Sequence, residues 1–320
     1  MIKYCLTFCL SVFLSCLTSY SQINANFGIY IKNLTVDQKN GLFYADLYWW
    51  IKLPDSISTE SEKEYAKIEF VNGSEISNSV VESKRAKGII YITGFCKGEF
   101  KFEPNYHDYP VDVQRLPIII ESVNLTEDLV RLVPDTASGS RANTRLMGLD
   151  ENIAVAGYNV LNAGYLKDVK TYKSNFGDPE FSEDMKYSRL VYEINIARDS
   201  ESFILKILIP NLLLLVISYL VFFIPPNQLE VAVGCTVTSL LASIALQLTI
   251  NNNLPDIGYI TNADKLFHLF YLLITIALVQ TVISFNLDKR GKSHFANRIE
   301  VWGRIIFPLI LITGIMMILK

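Results

Sequence analysis

The chain is poor in the residues from which most catalytic and metal sites are built. Its three histidines, His107, His268 and His294, lie in separate regions and supply no metal cluster, although each can titrate between about pH 5 and 8. There is no zinc-ligand spacing, no phosphate-cradling glycine loop and no nucleophile elbow, so the usual signatures of an enzyme are missing. Cysteine is scarce as well. Of the five, Cys5, Cys9 and Cys16 fall in an apolar leader, while Cys96 and Cys235 fall in segments that cannot meet, and no intrachain disulfide is expected. Charged residues make up 19% and apolar residues 50%, which excludes a disordered chain. No internal repeat of the kind secondary transporters carry is visible. Neither a cofactor nor a nucleic-acid partner is expected.

What the chain has is hydrophobic length and alternating β-formers. Met1, Ile2 and Lys3 precede an apolar run over 4–17, and small residues Ser19 and Ser21 follow, which reads as a secretory leader over 1–21. A lipoprotein reading through Leu14, Ser15 and Cys16 fits poorly, because Phe13 stands three before the cysteine. Over 22–199 the runs 41–52, 88–95, 153–161 and 187–198 alternate or cluster β-formers, and turn residues gather at 71–74, 134–140 and 175–179. This pattern predicts an all-β, immunoglobulin-like sandwich, with a core large enough to need no disulfide staples.

Four apolar stretches, 203–224, 231–250, 266–287 and 301–319, are each near the roughly 20 residues that cross a bilayer. They predict an all-α four-helix transmembrane bundle over 200–320. The basic loop 288–298 belongs on the cytoplasmic side. Counting back from it puts the sandwich outside, as the leader also does. The expected location is the plasma membrane, a bacterial inner membrane for a prokaryotic source. Arg198, Asp199, Ser200 and Glu201 join strand to span without a flexible linker, so movement can pass between them.

Segment 227–255 is membrane-length but too polar to face lipid all round. At about 100° per residue, Glu230, Gly234, Thr238, Leu241, Ala245, Leu248 and Asn252 share one face, and Thr236, Ser239, Ser243 and Gln247 form a second stripe almost opposite. One stripe meets water and the other glues helices together, and polarity alone does not choose between them. The plainer alternative is an ordinary span whose Ser and Thr bond their own backbone. One such span cannot enclose a channel, so a pore requires several copies in a ring.

Tyr109-Pro110-Val111-Asp112-Val113-Gln114-Arg115-Leu116 resembles the signature loop of the pentameric ligand-gated ion channels, the Cys-loop receptor superfamily, whose pattern is aromatic-Pro-aromatic-Asp-x-Gln. Val111 departs from it at the third position. Phe102 and Leu116 stand where the bridging cysteines would, which resembles prokaryotic-type members. Residues 188–194 leading to Arg198, Ile209-Pro210-Asn211, Asn253-Leu254-Pro255 and Arg304-Ile305-Ile306-Phe307-Pro308 extend the likeness along the mature chain. The short 288–298 loop differs from animal receptors, which carry a large cytoplasmic insertion there.

The resemblance implies a homopentamer in membrane lipid and selects the Glu230 stripe as pore lining. Five Glu230 carboxylates at the cytoplasmic mouth would enrich monovalent cations, and leucine rings at Leu241 and Leu248 would close the pore by drying it. It also implies a coupling zone of Asp37, Pro110, Asp112, Arg198, Pro255 and Tyr259, in which Arg198 pairs with Asp112 and with Asp37 as a second partner. Agonist would bind under a hairpin over 173–186, near Tyr172, Phe176, Phe181 and Tyr187. Phe70, Asn72 and Asn124 would contribute from the same subunit and Tyr48 from the neighbour. Aromatic faces suit a cationic amine. The hairpin acids Asp178, Glu180, Glu183 and Asp184 suit a divalent cation or protons equally, so the agonist and any bound metal stay open. The expected function is a ligand- or proton-gated, cation-selective channel, and its rival is a non-conducting, membrane-anchored sensor.

Overall fold

The computed structural model describes residues 22–135, 146–177, 184–252 and 254–318. The expected leader over 1–21, most of the turn cluster over 134–140, and Asp178, Glu180, Phe181 and Glu183 of the hairpin lie outside the described residues.

Among the described residues nine strands come first: β1 (Ile23–Asp37), β2 (Leu42–Pro54), β3 (Ile68–Phe70), β4 (Gly73–Ala86), β5 (Ile89–Lys101), β6 (Val113–Ser122), β7 (Val130–Pro134), β8 (Tyr158–Tyr172) and β9 (Met185–Arg198). They form two sheets, ordered β4-β5-β2-β1-β7 and β3-β6-β9-β8. Alternation sets their registers. In β9, Ser188, Leu190, Tyr192, Ile194 and Ile196 point inward at every second position while their neighbours remain more accessible. The same period buries Phe43, Ala45, Leu47, Trp49 and Ile51 on β2. These rows interdigitate between the sheets as one core. Each fully buried large aliphatic or aromatic side chain there contributes roughly 1.5–3 kcal/mol. Gly94 is required on β5 because the Trp49 indole lies where a Cβ would sit.

Two features differ from the sequence reading. Residues 153–161 form strand only from Tyr158 onward, after a turn closed by the bond from Tyr158 N to Val155 O (3.0 Å). A short helix, α1 (Thr59–Tyr65), interrupts the strands. Ser58 caps it by accepting from Ser61 N, and Glu60 and Glu62 complement the positive end of its dipole, which overrides the lack of an apolar stripe.

Four helices long and apolar enough to cross a membrane follow: α2 (Glu201–Phe223), α3 (Leu229–Asn251), α4 (Asn262–Lys289) and α5 (Ser293–Ile318). The basic loop expected over 288–298 is mostly helical, and only 290–292 connect α4 to α5. Apolar runs mark the lipid-facing length, whereas the backbone ladder continues into charged residues beyond it.

Two prolines sit inside these helices, and each has a compensating feature. Pro210 follows a π-helical turn over Ile204–Leu208, a local rewinding that absorbs its missing donor. Pro308 cannot donate to the Arg304 carbonyl one turn earlier, and the Tyr219 hydroxyl of α2 donates to that carbonyl instead (3.2 Å). Arg304 in turn donates from Nε and Nη2 to the Phe222 carbonyl at the end of α2 (3.1 and 2.9 Å). Leu215, Phe222, Phe270, Leu273, Ile274, Ala277 and Phe307 fill the bundle core around these bonds.

Tyr219→Phe should leave the Arg304 carbonyl without its donor in apolar surroundings and cost about 1–3 kcal/mol. A thermal melt of the purified full chain in detergent checks this, with Tyr219→Trp as a volume control.

Candidate functional site

The two polar stripes of α3 separate cleanly. Thr236, Ser239 and Ser243 are buried against the rest of the chain, with Gln247 half-buried beside them. Ser243 Oγ bonds to Asn211 Oδ1 of α2 (2.6 Å), and Gln247 Nε2 donates to Asp264 Oδ1 of α4 (2.9 Å). The Tyr271 hydroxyl donates to Gln247 Oε1 (2.6 Å). Ser243 and Gln247 are thus glue among α2, α3 and α4, whereas the Thr236 hydroxyl donates to Ala232 O and Val233 O of its own helix (3.0 and 3.1 Å). The opposite stripe, Glu230, Gly234, Thr238, Leu241, Ala245, Leu248 and Asn252, is exposed at every position. Leu241 and Leu248 keep 62% and 58% of their surface, which is unusual for leucines in the middle of a helix unless something outside the subunit meets them.

Where the sandwich meets the helices, a buried ion pair holds the joint. Arg198, the last residue of β9, donates from Nε and Nη2 to Asp112 Oδ1 and Oδ2 (2.6 and 2.9 Å), with side-chain exposures of only 11% and 1%. The guanidinium lies over the Tyr109 and Tyr158 rings (4.9 and 5.0 Å). Burial opposes its charge, yet the Asp112 bonds and the facing phenols hold its pKa above the usual arginine value. Burial likewise raises both tyrosines.

Gln114 extends the network. Its Nε2 donates to Asp112 Oδ2 and to the Asn105 carbonyl, while its Oε1 accepts from Asn105 N. Pro110 lies in this loop. Pro255 and Tyr259 lie on the α3–α4 connection, where the Tyr259 hydroxyl accepts from Tyr106 N (2.9 Å). The loop also accepts two bonds from the start of α4, Asn262 N to His107 O and Ala263 N to Tyr109 O (both 3.0 Å).

Asp37 does not join this cluster. Its carboxylate accepts from the backbone and side chain of Asn40 and from Lys39 N within its own turn, and the Asn40 bond holds its pKa below the usual carboxylate value. The neighbouring Gln38 reaches the junction instead: its carbonyl accepts from the Tyr106 hydroxyl (2.6 Å) and its Oε1 from the Tyr158 hydroxyl (2.8 Å).

On the outer flank of the sandwich, a cleft of about 970 Å³ opens beneath the β8–β9 hairpin. Tyr172, Phe176, Tyr187 and Asn124 line it. Tyr172 makes edge contacts with Phe176 (5.4 Å) and Tyr187 (5.8 Å). Sequence reasoning missed the group beneath them. Glu121 is paired with Arg189 (2.5 Å) and accepts from the Tyr172 hydroxyl (2.9 Å). Burial and the Glu121 bond raise the Tyr172 pKa. The two charges are direct cross-strand partners in the β6–β9 ladder, and opposite charges at matched register were the signal that could have found them.

Two residues expected from the same subunit, Phe70 and Asn72, do not line the cleft. Phe70 is core, packed edge-on to Phe100 (5.9 Å). The Asn72 amide donates to the Lys101 and Pro117 carbonyls and accepts from Ile119 N, so its polar atoms serve the turn. Tyr48 is on the other sheet, exposed and tilted against Phe95 (5.1 Å).

The family description "neurotransmitter-gated ion-channel transmembrane region" matches residues 207–311, which take in most of α2, all of α3 and α4, and most of α5. Its match falls on the same helices that the junction ties to a sandwich of the expected order. Over this transmembrane region the chain is similar to the pentameric ligand-gated channels of the Cys-loop receptor superfamily. This is a non-enzyme family, and the chain is a multi-pass membrane protein with an extracytoplasmic N-terminal domain.

Similar proteins include the proton-gated ion channel of Gloeobacter violaceus, 26% identical over 209 residues, which cover 64% of this chain and 52% of that one. The pH-sensitive chloride channel 2 of Drosophila melanogaster is 22% identical over 59% of this chain and 36% of its own. The acetylcholine receptor subunit beta-type acr-2 of Caenorhabditis elegans is 27% identical over 39% of this chain and 21% of its own. The chain thus spans about half or less of the length of these relatives.

Removing Asp112 strands a buried guanidinium, and Asp112→Ala should cost about 3–5 kcal/mol. Because Arg198→Ala relieves the same imbalance, the double variant should be less destabilised than the sum of the singles. Thermal unfolding of the four purified proteins closes the cycle, and strict additivity would contradict the pair.

Proposed function

We propose that the protein is a homopentameric, ligand- or proton-gated, cation-selective ion channel whose pore is lined by α3. The observation that carries this reading is the division of α3 into two stripes. Its Thr236, Ser239 and Ser243 face is buried inside the subunit, which leaves the Glu230 to Asn252 face for a neighbour or for water. That face carries a carboxylate at one end, an amide at the other and leucine between, and its ends are too polar for lipid. Five copies in a ring turn it into a path with an acidic cytoplasmic mouth and a hydrophobic constriction.

Relatives of this chain include a chloride channel as well as acetylcholine receptor subunits, so the family does not decide selectivity. Glu230 supports the cation reading, because a ring of carboxylates concentrates monovalent cations and repels anions. Agonist enters the hairpin cleft of each subunit, where Glu69 and Glu121 lie among aromatic faces and favour a positive ligand, an organic amine, a divalent cation or protons. Tyr48 of the neighbour completes the wall. Ligand-driven movement of β9 passes through Arg198 and Asp112 to the α3–α4 connection. The apolar surfaces of α2 and α5, including Leu213, Val216, Leu309 and Ile312, face lipid.

Purified protein in planar bilayers under a potassium chloride gradient should give currents that reverse near the potassium potential. Silence across broad ligand and pH screens would favour the membrane-anchored sensor instead. Leu241→Thr, which wets the constriction, should produce leak or raise agonist sensitivity by about tenfold or more, a gain corresponding to about 1.4 kcal/mol. Glu230→Gln should move the reversal potential toward zero.

A further inference from the structure

His107 takes no part in the ion pair, the cleft or the α3 stripe, yet it stands at a direct contact between the signature loop and the α3–α4 connection. Its ring lies parallel to that of Tyr259, with centroids 4.0 Å apart and planes inclined by 6°. The Tyr259 hydroxyl is held by Tyr106 N, and the His107 carbonyl by Asn262 N, so each partner of the stack is fixed from the opposite segment.

The tautomer follows from one atom. Asn105 Oδ1 accepts from His107 N (3.1 Å) and lies 2.8 Å from His107 Nδ1. An atom that accepts a backbone N–H is the amide oxygen, so Nδ1 carries the hydrogen and Nε2 is the open position. The side chain is exposed, and a proton from solvent can reach Nε2 without breaking either bond to Asn105. What changes on protonation is the charge held over the Tyr259 π face, which attracts a cation. Asn105 is bonded to Gln114, Gln114 to Asp112 and Asp112 to Arg198, so the stack ends a continuous chain from the last strand to the pore helix connection.

The charged groups on the elements packed around it are Glu103, Asp108 and Asp112 of the loop, Arg198 of β9, Asp256 of the connection and Asp264 and Lys265 of α4. Asp108 accepts from Asn262 Nδ2 (3.1 Å) and Lys265 donates to Asn262 Oδ1 (2.9 Å), which draws both toward that amide. Asp264 is held in the capping box of Thr261 and by Gln247.

We propose that His107 is a proton-binding site at the domain junction, where a proton on Nε2 tightens the His107–Tyr259 stack and makes extracytoplasmic acidity an input to the α3–α4 connection. The gating consequence rests on the channel reading above, whereas the proton site does not.

The test has two arms on the full chain in lipid nanodiscs or bilayers. In the first, 3-fluorotyrosine is placed at 259 and its 19F resonance is followed from pH 7.5 to 5. The resonance should move in the native background and stay flat in His107→Phe, which keeps a ring without a titrating nitrogen, and in His107→Gln, which guards against misfolding of the first variant. In the second, the ratio of open probability at pH 5 to that at pH 7.5 should fall by about two- to fivefold in both variants, the size of an exposed cation–π contact. A 19F signal that is flat in the native protein, or equally mobile in the variants, overturns the proton site. An expected 19F response with unchanged acid ratios overturns the coupling. An expected 19F response with no current at any pH supports the site and refutes the channel reading.

Discussion

The joint between sandwich and helices depends on one buried charge pair. Arg198 ends β9 with only Asp199 and Ser200 between it and α2, so its position fixes where the first membrane helix starts. Its charge cannot be left unpaired there, because an isolated guanidinium in such surroundings is far costlier than a surface one. Asp112 satisfies two of its donors, and the Tyr109 and Tyr158 rings cover the planar faces. From that pair the remaining contacts spread in order. Gln114 organises Asn105, the loop backbone caps the start of α4, and Tyr259 closes onto Tyr106. The apolar cluster of Tyr106, Phe203, Leu254, Ala263 and Phe267 fills the space behind these bonds. Geometry at the junction is therefore set by electrostatics and maintained by packing.

The bundle follows a related logic. Inside a membrane, helices gain little from hydrophobic sequestration, so hydroxyl and amide bonds decide which faces meet. The Ser243–Asn211 and Gln247–Asp264 contacts place α3 against α2 and α4 with one orientation, and that orientation is what exposes the Glu230 stripe. The pore reading thus rests on glue that lies on the far side of the helix.

Strand periodicity and apolar length made the architecture readable from the sequence, because alternation over β2 and β9 and four membrane-length runs are strong local signals. Local capping chemistry was less visible, so α1, with its Ser58 cap and no apolar face, was not singled out within the all-β reading of 22–199. Helix ends were also misjudged, since α5 begins at Ser293, eight residues ahead of the apolar run at 301. At the site, the Arg198–Asp112 contact was legible through the motif. The partner chosen from the β1–β2 turn was not, because Asp37 is captured by its own turn while the uncharged Gln38 points to the junction. Phe70 failed as a ligand residue for a similar reason: sequence gives a residue's neighbourhood but not the face its ring presents. Glu121 and Arg189 required strand register, which only the paired sheet supplies.

Where a bridging disulfide is expected in the superfamily, this chain has Phe102 and Leu116, both buried in the sandwich core. Loop closure here is a matter of oil and not of sulfur. Among the described residues the free thiols are Cys96 and Cys235, and burial pushes the Cys96 pKa up to about 12, which leaves almost no thiolate to react at neutral pH. Reducing agents therefore find no covalent strut to sever in the described part of the ectodomain, and its architecture is indifferent to the redox poise of the compartment into which it folds.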